Sequence, residues 1–149
     1  MPIESPDAPH PVVEPHHLNT LYLLSALCLI LMTLSLGTQP LYLRSVLGIS
    51  SANAGAINAS IMVLGETLEL LVAGAVGFLS DRVGRKRIMV RGFLLAGIGA
   101  VIAPFSAPIG SVAGGSGLAV YYVARMLMAC GIGAVWPQLW AIGGDFSDR

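Results

Sequence analysis

The stretch GFLSDRVGRKRIMV, Gly77 to Val90, places five charged residues between two long apolar segments. Asp, Glu, Lys and Arg are absent from residues 18–43, 92–124 and 126–144. A membrane core about 30 Å thick requires roughly 20 apolar residues of α-helix, since each residue adds about 1.5 Å. We therefore predict four transmembrane helices, at about residues 18–36, 56–79, 88–106 and 118–143.

The overall composition indicates an all-α integral membrane protein. Of the 149 residues, 55% are hydrophobic and 11% are charged, whereas about a quarter of the residues in a soluble domain are charged. Residues 1–17 contain five prolines and three acids and lack the positive start of a signal peptide. We expect this segment to be a disordered tail and residues 18–149 to be the membrane domain.

The charge of the loop after the second span predicts the orientation of the chain. Arg82, Arg85, Lys86 and Arg87 face the single acid Asp81 in this loop. Short loops rich in Lys and Arg stay in the cytoplasm, because positive charge resists export. We therefore expect the amino-terminal tail and the final GGDFSDR to be cytoplasmic, and the loops after the first and third spans to lie outside.

The same basic loop has the features of a conformational latch. An acid at the inner end of a helix is unfavourable beside the negative end of the helix dipole unless cations hold it. We therefore expect the neighbouring Arg and Lys side chains to hold Asp81. Gly77 would allow close helix contact, and Gly84 would permit a tight turn into the third span. The alternative is a basic loop that only sets the topology.

Two carboxylates, Glu66 and Glu69, interrupt the apolar second span. At a spacing of three residues they share one side of the helix, and counting from Gly77 they lie about 16 Å and about 12 Å deep. An ionised carboxylate at that depth needs a partner or water. The pair is either a proton or cation site in a translocation path or a structural hydrogen-bonding pair. In the first case we expect Glu66, nearer the midplane, to be the more sensitive position.

Arg125 is the sole charged residue of the fourth span. It keeps its proton, so within the membrane it needs an acid, backbone carbonyls or a watery cavity. We favour a functional role over extension of the side chain to the surface. Gly131 and Gly133 follow it, and small residues at these positions let helices approach closely.

Two stretches resemble motifs of the major facilitator superfamily. Residues 77–87 are similar to the pattern G-x-L-[AS]-D-R-x-G-R-[KR], which joins the second and third helices in that family. Residues 125–134 are similar to its fourth-helix pattern R-x-x-Q-G-x-G-A, except that Met128 stands at the Gln position and Ala129 at the first Gly. The similarity extends from the first predicted span to the end of the chain.

This resemblance implies a secondary active transporter of a small solute or ion, working by symport or antiport and coupled to protons. It implies that Asp81, Arg85 and Asp145 form an inner charge relay, and that Arg125 helps to couple proton movement to the substrate cycle. Members of the family have twelve helices with the path between two halves. The chain would then be an amino-terminal fragment or a truncated product, partnered by the remaining transporter helices or another subunit within the lipid bilayer.

A fainter likeness, carried by QPLYLRSVLGIS at residues 39–50 and by the second span, is to magnetosome-associated members of the same family. It implies iron as the substrate and a magnetosome membrane as an alternative to the inner membrane.

Two other functions are compatible with the pattern of spans. A small oligomeric four-helix transporter also places an acid within the membrane, and a non-transporting membrane assembly factor would need the spans alone. No Ser/His/Asp, Cys/His or metal-ligand cluster is spaced for chemistry. We therefore predict no enzymatic activity, no cofactor, no metal site and no nucleic-acid partner.

The predicted orientation can be tested with fusions to a reporter that is active only in the cytoplasm. Fusion after Arg87 should give activity and fusion after Gly115 should give none, because the basic loop is retained inside. Activity is measured in whole cells and normalised to the amount of each fusion protein. The reverse pattern would contradict the topology.

Overall fold

The computed structural model describes residues 15–147, except for the side chains of residues 15–17, 81 and 145–147. Four segments in this part of the chain are long and apolar enough to cross a membrane, which confirms the prediction of an all-α, four-span protein. These segments are Leu18–Ser45, Ser51–Ser80, Arg85–Val112 and Gly117–Gly144. The helices are α1 (Pro15–Ser45), α2 (Ser51–Val83), α3 (Arg85–Ile102), α4 (Ser106–Val112) and α5 (Gly117–Ser147).

Helix α5 is the centre of the bundle. Half of its most apolar stretch is buried, against 6% of that of α1. It packs chiefly against α3 and α2. Leu43 of α1, Ile61 of α2 and Tyr121 of α5 form a buried apolar cluster, which joins these three helices near the end of α1. Helix α1 is therefore peripheral and leaves a long apolar face exposed.

The contact between α3 and α5 brings backbone against backbone. A Cβ added at Gly131 would lie 2.4 Å from the backbone nitrogen of Ala96 and 2.5 Å from the carbonyl oxygen of Gly92. One added at Gly99 would lie 2.6 Å from the carbonyl oxygen of Ala124. Small residues at these positions allow the close approach, as they do generally between membrane helices.

Gly84 forms the turn between α2 and α3 by itself. Its φ of +96° lies in the region that favours glycine, and its N–H donates to the carbonyl of Ser80 at 3.0 Å. Gly77 differs from our expectation of a close helix contact. It is exposed, and no heavy atom of the described chain lies within 4 Å of a Cβ added there.

The first helix is longer than predicted. We expected it to end before Pro40, but α1 continues through this residue to Ser45. A proline in a helix interior costs about 3 kcal/mol, and packing beyond it offsets this cost. Leu43 is fully buried, and Tyr42 stacks on Tyr121 with the ring centroids 5.0 Å apart. At its other end α1 begins at Pro15, within the predicted tail, whose residues 1–14 lie outside the described part of the chain.

The predicted loop between the third and fourth spans is largely helical, which is a second correction. A 3-10 turn at Ala103–Phe105 leads into α4, and a turn at residues 113–116 precedes α5. Pro104 and Pro108 lie in the first turns of the two short helices. A proline is tolerated there, because the first N–H groups of a helix have no partner within it.

Replacement of Gly131 by Ala should weaken the bundle by about 1–3 kcal/mol, because the new methyl group would overlap the backbone of α3. Gly97→Ala is the matched control on α3, since nothing lies within 4 Å of its added Cβ. It should be neutral or stabilise the helix by about 0.5–1 kcal/mol. The free energy of unfolding is measured in mixed micelles. Equal values for the two variants would contradict the close contact.

Candidate functional site

A cavity of about 60 Å³ lies between α1, α2 and α5 and brings together the charged residues of the spans. Glu66 and Glu69 of α2 and Arg125 of α5 line it, and among the described residues α1 contributes one polar side chain, that of Ser35. Most of the remaining lining is apolar and includes three methionines, Met32, Met62 and Met128. Ser35 and Arg125, which are 90 positions apart in the sequence, therefore share one small polar space within the apolar bundle.

Arg125 is half-buried and is held from α1 and from its own helix. Its Nη1 donates to the hydroxyl of Ser35 and lies 3.8 Å from the sulfur of Met128. The hydroxyl of Ser35 in turn lies 3.9 Å from the same sulfur. The guanidinium thus contacts a hydroxyl and a thioether within the bundle, and its functional role stays a prediction.

The two carboxylates lie in different surroundings. Glu69 is half-buried and lines the small cavity together with Arg125 and Glu66. Its backbone is packed against Gly133, where an added Cβ would lie 2.7 Å from the carbonyl oxygen of Glu69. Glu66 is exposed at the surface of the four-helix bundle. Glu69 is therefore the carboxylate that the fold fixes more closely beside the arginine.

Both carboxylates also border a second cavity, of about 310 Å³, between α2 and α5. Trp136 and Trp140 line it, with their rings edge to face and the centroids 6.3 Å apart. The same two tryptophans border a third cavity, of about 750 Å³, between the start of α1 and the end of α5. Glu66 and Glu69 therefore lie between the small cavity with Arg125 and wider space towards the end of α5.

Sequence reasoning missed several polar contacts between the spans. The side chain of Gln39 is 1% exposed, and its Nε2 donates to Oδ1 of Asn58 at 2.9 Å. The hydroxyls of Ser60 and Tyr122 also contact each other across α2 and α5. Ser35 and Gln39 are one helical turn apart and so share a face of α1, but Thr33 and Thr38 lie in the same span, so the sequence alone does not single out this pair.

The residues of the predicted charge relay are only partly described. Arg82 lies over the ring of Phe78, with its guanidinium carbon 4.6 Å from the ring centroid. Arg85 begins α3, and Lys86 beside it is exposed. The side chains of Asp81 and Asp145 lie outside the described part of the structure. A contact between these acids and the basic residues thus stays a prediction.

A family model described as the Major Facilitator Superfamily matches residues 19–148, nearly the whole chain. The chain belongs to this family of membrane transporters. The match confirms the resemblance that the loop at residues 77–87 and the fourth span carry. Together with the four apolar helices, it identifies a multi-pass membrane protein.

The curated relatives that match this chain are magnetosome proteins. The chain is 58% identical over 130 residues to magnetosome protein MamH of Paramagnetospirillum magneticum, covering 87% of the chain and 30% of that protein. It is 38% and 39% identical over 135 residues to magnetosome protein MamZ of Paramagnetospirillum magneticum and of Magnetospirillum gryphiswaldense, covering 91% of the chain and 21% of each. The chain therefore spans less than a third of the length of these relatives. No solved structure matches it significantly.

Proposed function

We propose that this chain forms the first four spans of a secondary active transporter that moves a small solute or ion and is coupled to protons. The observation that carries the proposal is the cavity in which Glu66, Glu69 and Arg125 meet inside apolar spans. Membership of a transporter family supports transport. Two titratable groups beside a permanent charge supply the chemistry for coupling.

The coupling step rests on the difference between the two groups. Arg125 keeps its charge, whereas Glu69 can alternate between an ionised and a neutral form. The attraction between them therefore exists only when Glu69 is ionised. Binding of a proton removes this link between α2 and α5, and a second conformation of the bundle becomes more populated. A proton that binds at one side of the membrane and leaves at the other would drive this exchange.

Glu69 is now the favoured coupling residue, in place of Glu66. Depth alone favoured Glu66, since a position near the midplane makes a charge most costly. The surroundings of the two carboxylates differ. Glu69 is half-buried beside Arg125 and its backbone is held against Gly133, whereas Glu66 is exposed. Glu66 lines the same cavity as a second carboxylate.

The inner loop is the second part of the proposal. Asp81, Arg85 and Asp145 form a charge relay that ties the turn between α2 and α3 to the end of α5, with Arg82 and Lys86 as further cations. The single-residue turn at Gly84 supports this, since it keeps the basic first turn of α3 beside the last turn of α2. Breaking the relay would release one arrangement of the helices.

The membrane and a first candidate substrate complete the proposal. We infer a cytoplasmic amino terminus from the basic loop, and an inner or magnetosome membrane from the similarity to magnetosome proteins. Ferrous iron is the first probe for transport, because the likeness is to magnetosome proteins.

The Glu69→Gln variant should lose proton-driven accumulation by about tenfold or more, a factor within the usual range of coupling free energies. Glutamine mimics only the neutral carboxyl, so the step that depends on charge is lost, while exchange without a gradient should continue. The protein is expressed from its complete reading frame and placed in vesicles with an imposed pH gradient. Uptake of radiolabelled ferrous iron and the internal pH are measured together.

Thr67→Val is the matched control for this experiment. Thr67 lies between the two glutamates on α2, is exposed, and donates its hydroxyl to the carbonyl of Val63 at 2.7 Å. It should transport as the unmodified protein does. Near-normal accumulation in both Glu66→Gln and Glu69→Gln would rule out proton coupling at these residues and leave them as a structural pair.

A further inference from the structure

The hydroxyl of Ser35 is used differently from its neighbours on α1. Thr38 donates to the carbonyl of Leu34 at 2.8 Å and Ser45 to that of Leu41 at 2.7 Å, which is the ordinary choice for a hydroxyl in a helix. Ser35 instead reaches across to α5, where it accepts from Arg125 and faces the sulfur of Met128. Its hydroxyl is thus committed to a contact between helices.

Ser35 is also the stronger of the two partners that hold the guanidinium. A thioether sulfur is a weak acceptor, and the sulfur of Met128 lies 3.8 Å from Nη1 of Arg125. The hydroxyl oxygen accepts a hydrogen bond from a charged donor, which is among the stronger kinds. Without this oxygen, the thioether would be the remaining partner of Nη1 on these two helices.

We propose that Ser35 is the positioning residue of Arg125, and that its hydroxyl holds the guanidinium towards Glu69 and so ties α1 to the charge state of α2. The role of Ser35 in coupling rests on the proposed function, whereas the contact between Ser35 and Arg125 does not. Because most of α1 is peripheral, this bond connects the helix, through Arg125, to the cavity that the carboxylates line. When Glu69 changes its charge, the arginine and α1 respond together.

The chain offers two variants that separate positioning from packing. Ser35→Thr keeps the hydroxyl and adds a methyl group, so it should keep Arg125 in place. Met128→Gln replaces the thioether by an amide, whose oxygen lies one bond beyond the position of the sulfur on a side chain of similar length. This oxygen is a good hydrogen-bond acceptor for Arg125. Met128→Gln should therefore restore a hydrogen bond to the guanidinium in a Ser35→Ala background.

The test measures how fast phenylglyoxal modifies Arg125 in the protein expressed from its complete reading frame and reconstituted in vesicles. The adduct is quantified by mass spectrometry of the peptide that contains Arg125. Ser35→Ala should raise the rate by about tenfold, which corresponds to about 1.4 kcal/mol. Ser35→Thr, and Ser35→Ala combined with Met128→Gln, should return it to the original rate. Thr38→Val is the matched control, because its hydroxyl bonds to its own helix.

Proton-driven accumulation of ferrous iron is measured on the same samples. A faster reaction of Arg125 together with lower accumulation in Ser35→Ala, and recovery of both in the two rescue variants, supports the proposal. Unchanged reactivity in Ser35→Ala overturns it, and so does higher reactivity with unchanged accumulation. If the unmodified protein accumulates nothing, the proposed function fails, and the reactivity of Arg125 still decides whether Ser35 holds it.

Discussion

A charge that cannot be removed, inside a helix that must stay in lipid, is the constraint on which this site depends. Arg125 keeps its proton under all physiological conditions, and an unpartnered charge within the membrane is costly. The hydroxyl of Ser35 on α1 accepts a hydrogen bond from Arg125, and Glu69 of α2 lines the same cavity. Polar groups of the three helices therefore share one cavity whose remaining lining is apolar.

The central position of α5 makes this possible. Gly131 brings its backbone against α3, and Gly133 brings it against the backbone of Glu69. Such contacts fix the distance between helices more closely than flexible side chains do, because a backbone atom cannot move aside. The same closeness limits the cavity beside Arg125 to about 60 Å³, whereas the space beyond the carboxylates, beside Trp136 and Trp140, is wider. The proposed change of charge at Glu69 is therefore located at the narrow point between α2 and α5.

The sequence predicted the four spans and the unusual charges, because length, hydropathy and isolated acids are local properties. It did not predict that α1 continues through Pro40, because packing against α5 offsets the usual effect of this proline. It also did not predict the helix after Pro104, because a proline in the first turn of a helix does not interrupt it. The contacts between side chains of different spans could not be predicted from the sequence either. Nothing local distinguishes Ser35, which meets Arg125, from Thr38, which bonds to its own helix.

The central claim is that Glu69 changes its protonation inside the membrane beside a fixed positive charge. Infrared difference spectra of the reconstituted protein, recorded between acidic and alkaline pH, test it most directly, since a protonated carboxyl and a carboxylate absorb differently. The account predicts a band of a protonated carboxyl that disappears at alkaline pH, is absent from Glu69→Gln and persists in Glu66→Gln. A spectrum that is the same in Glu69→Gln as in the unmodified protein would contradict the account.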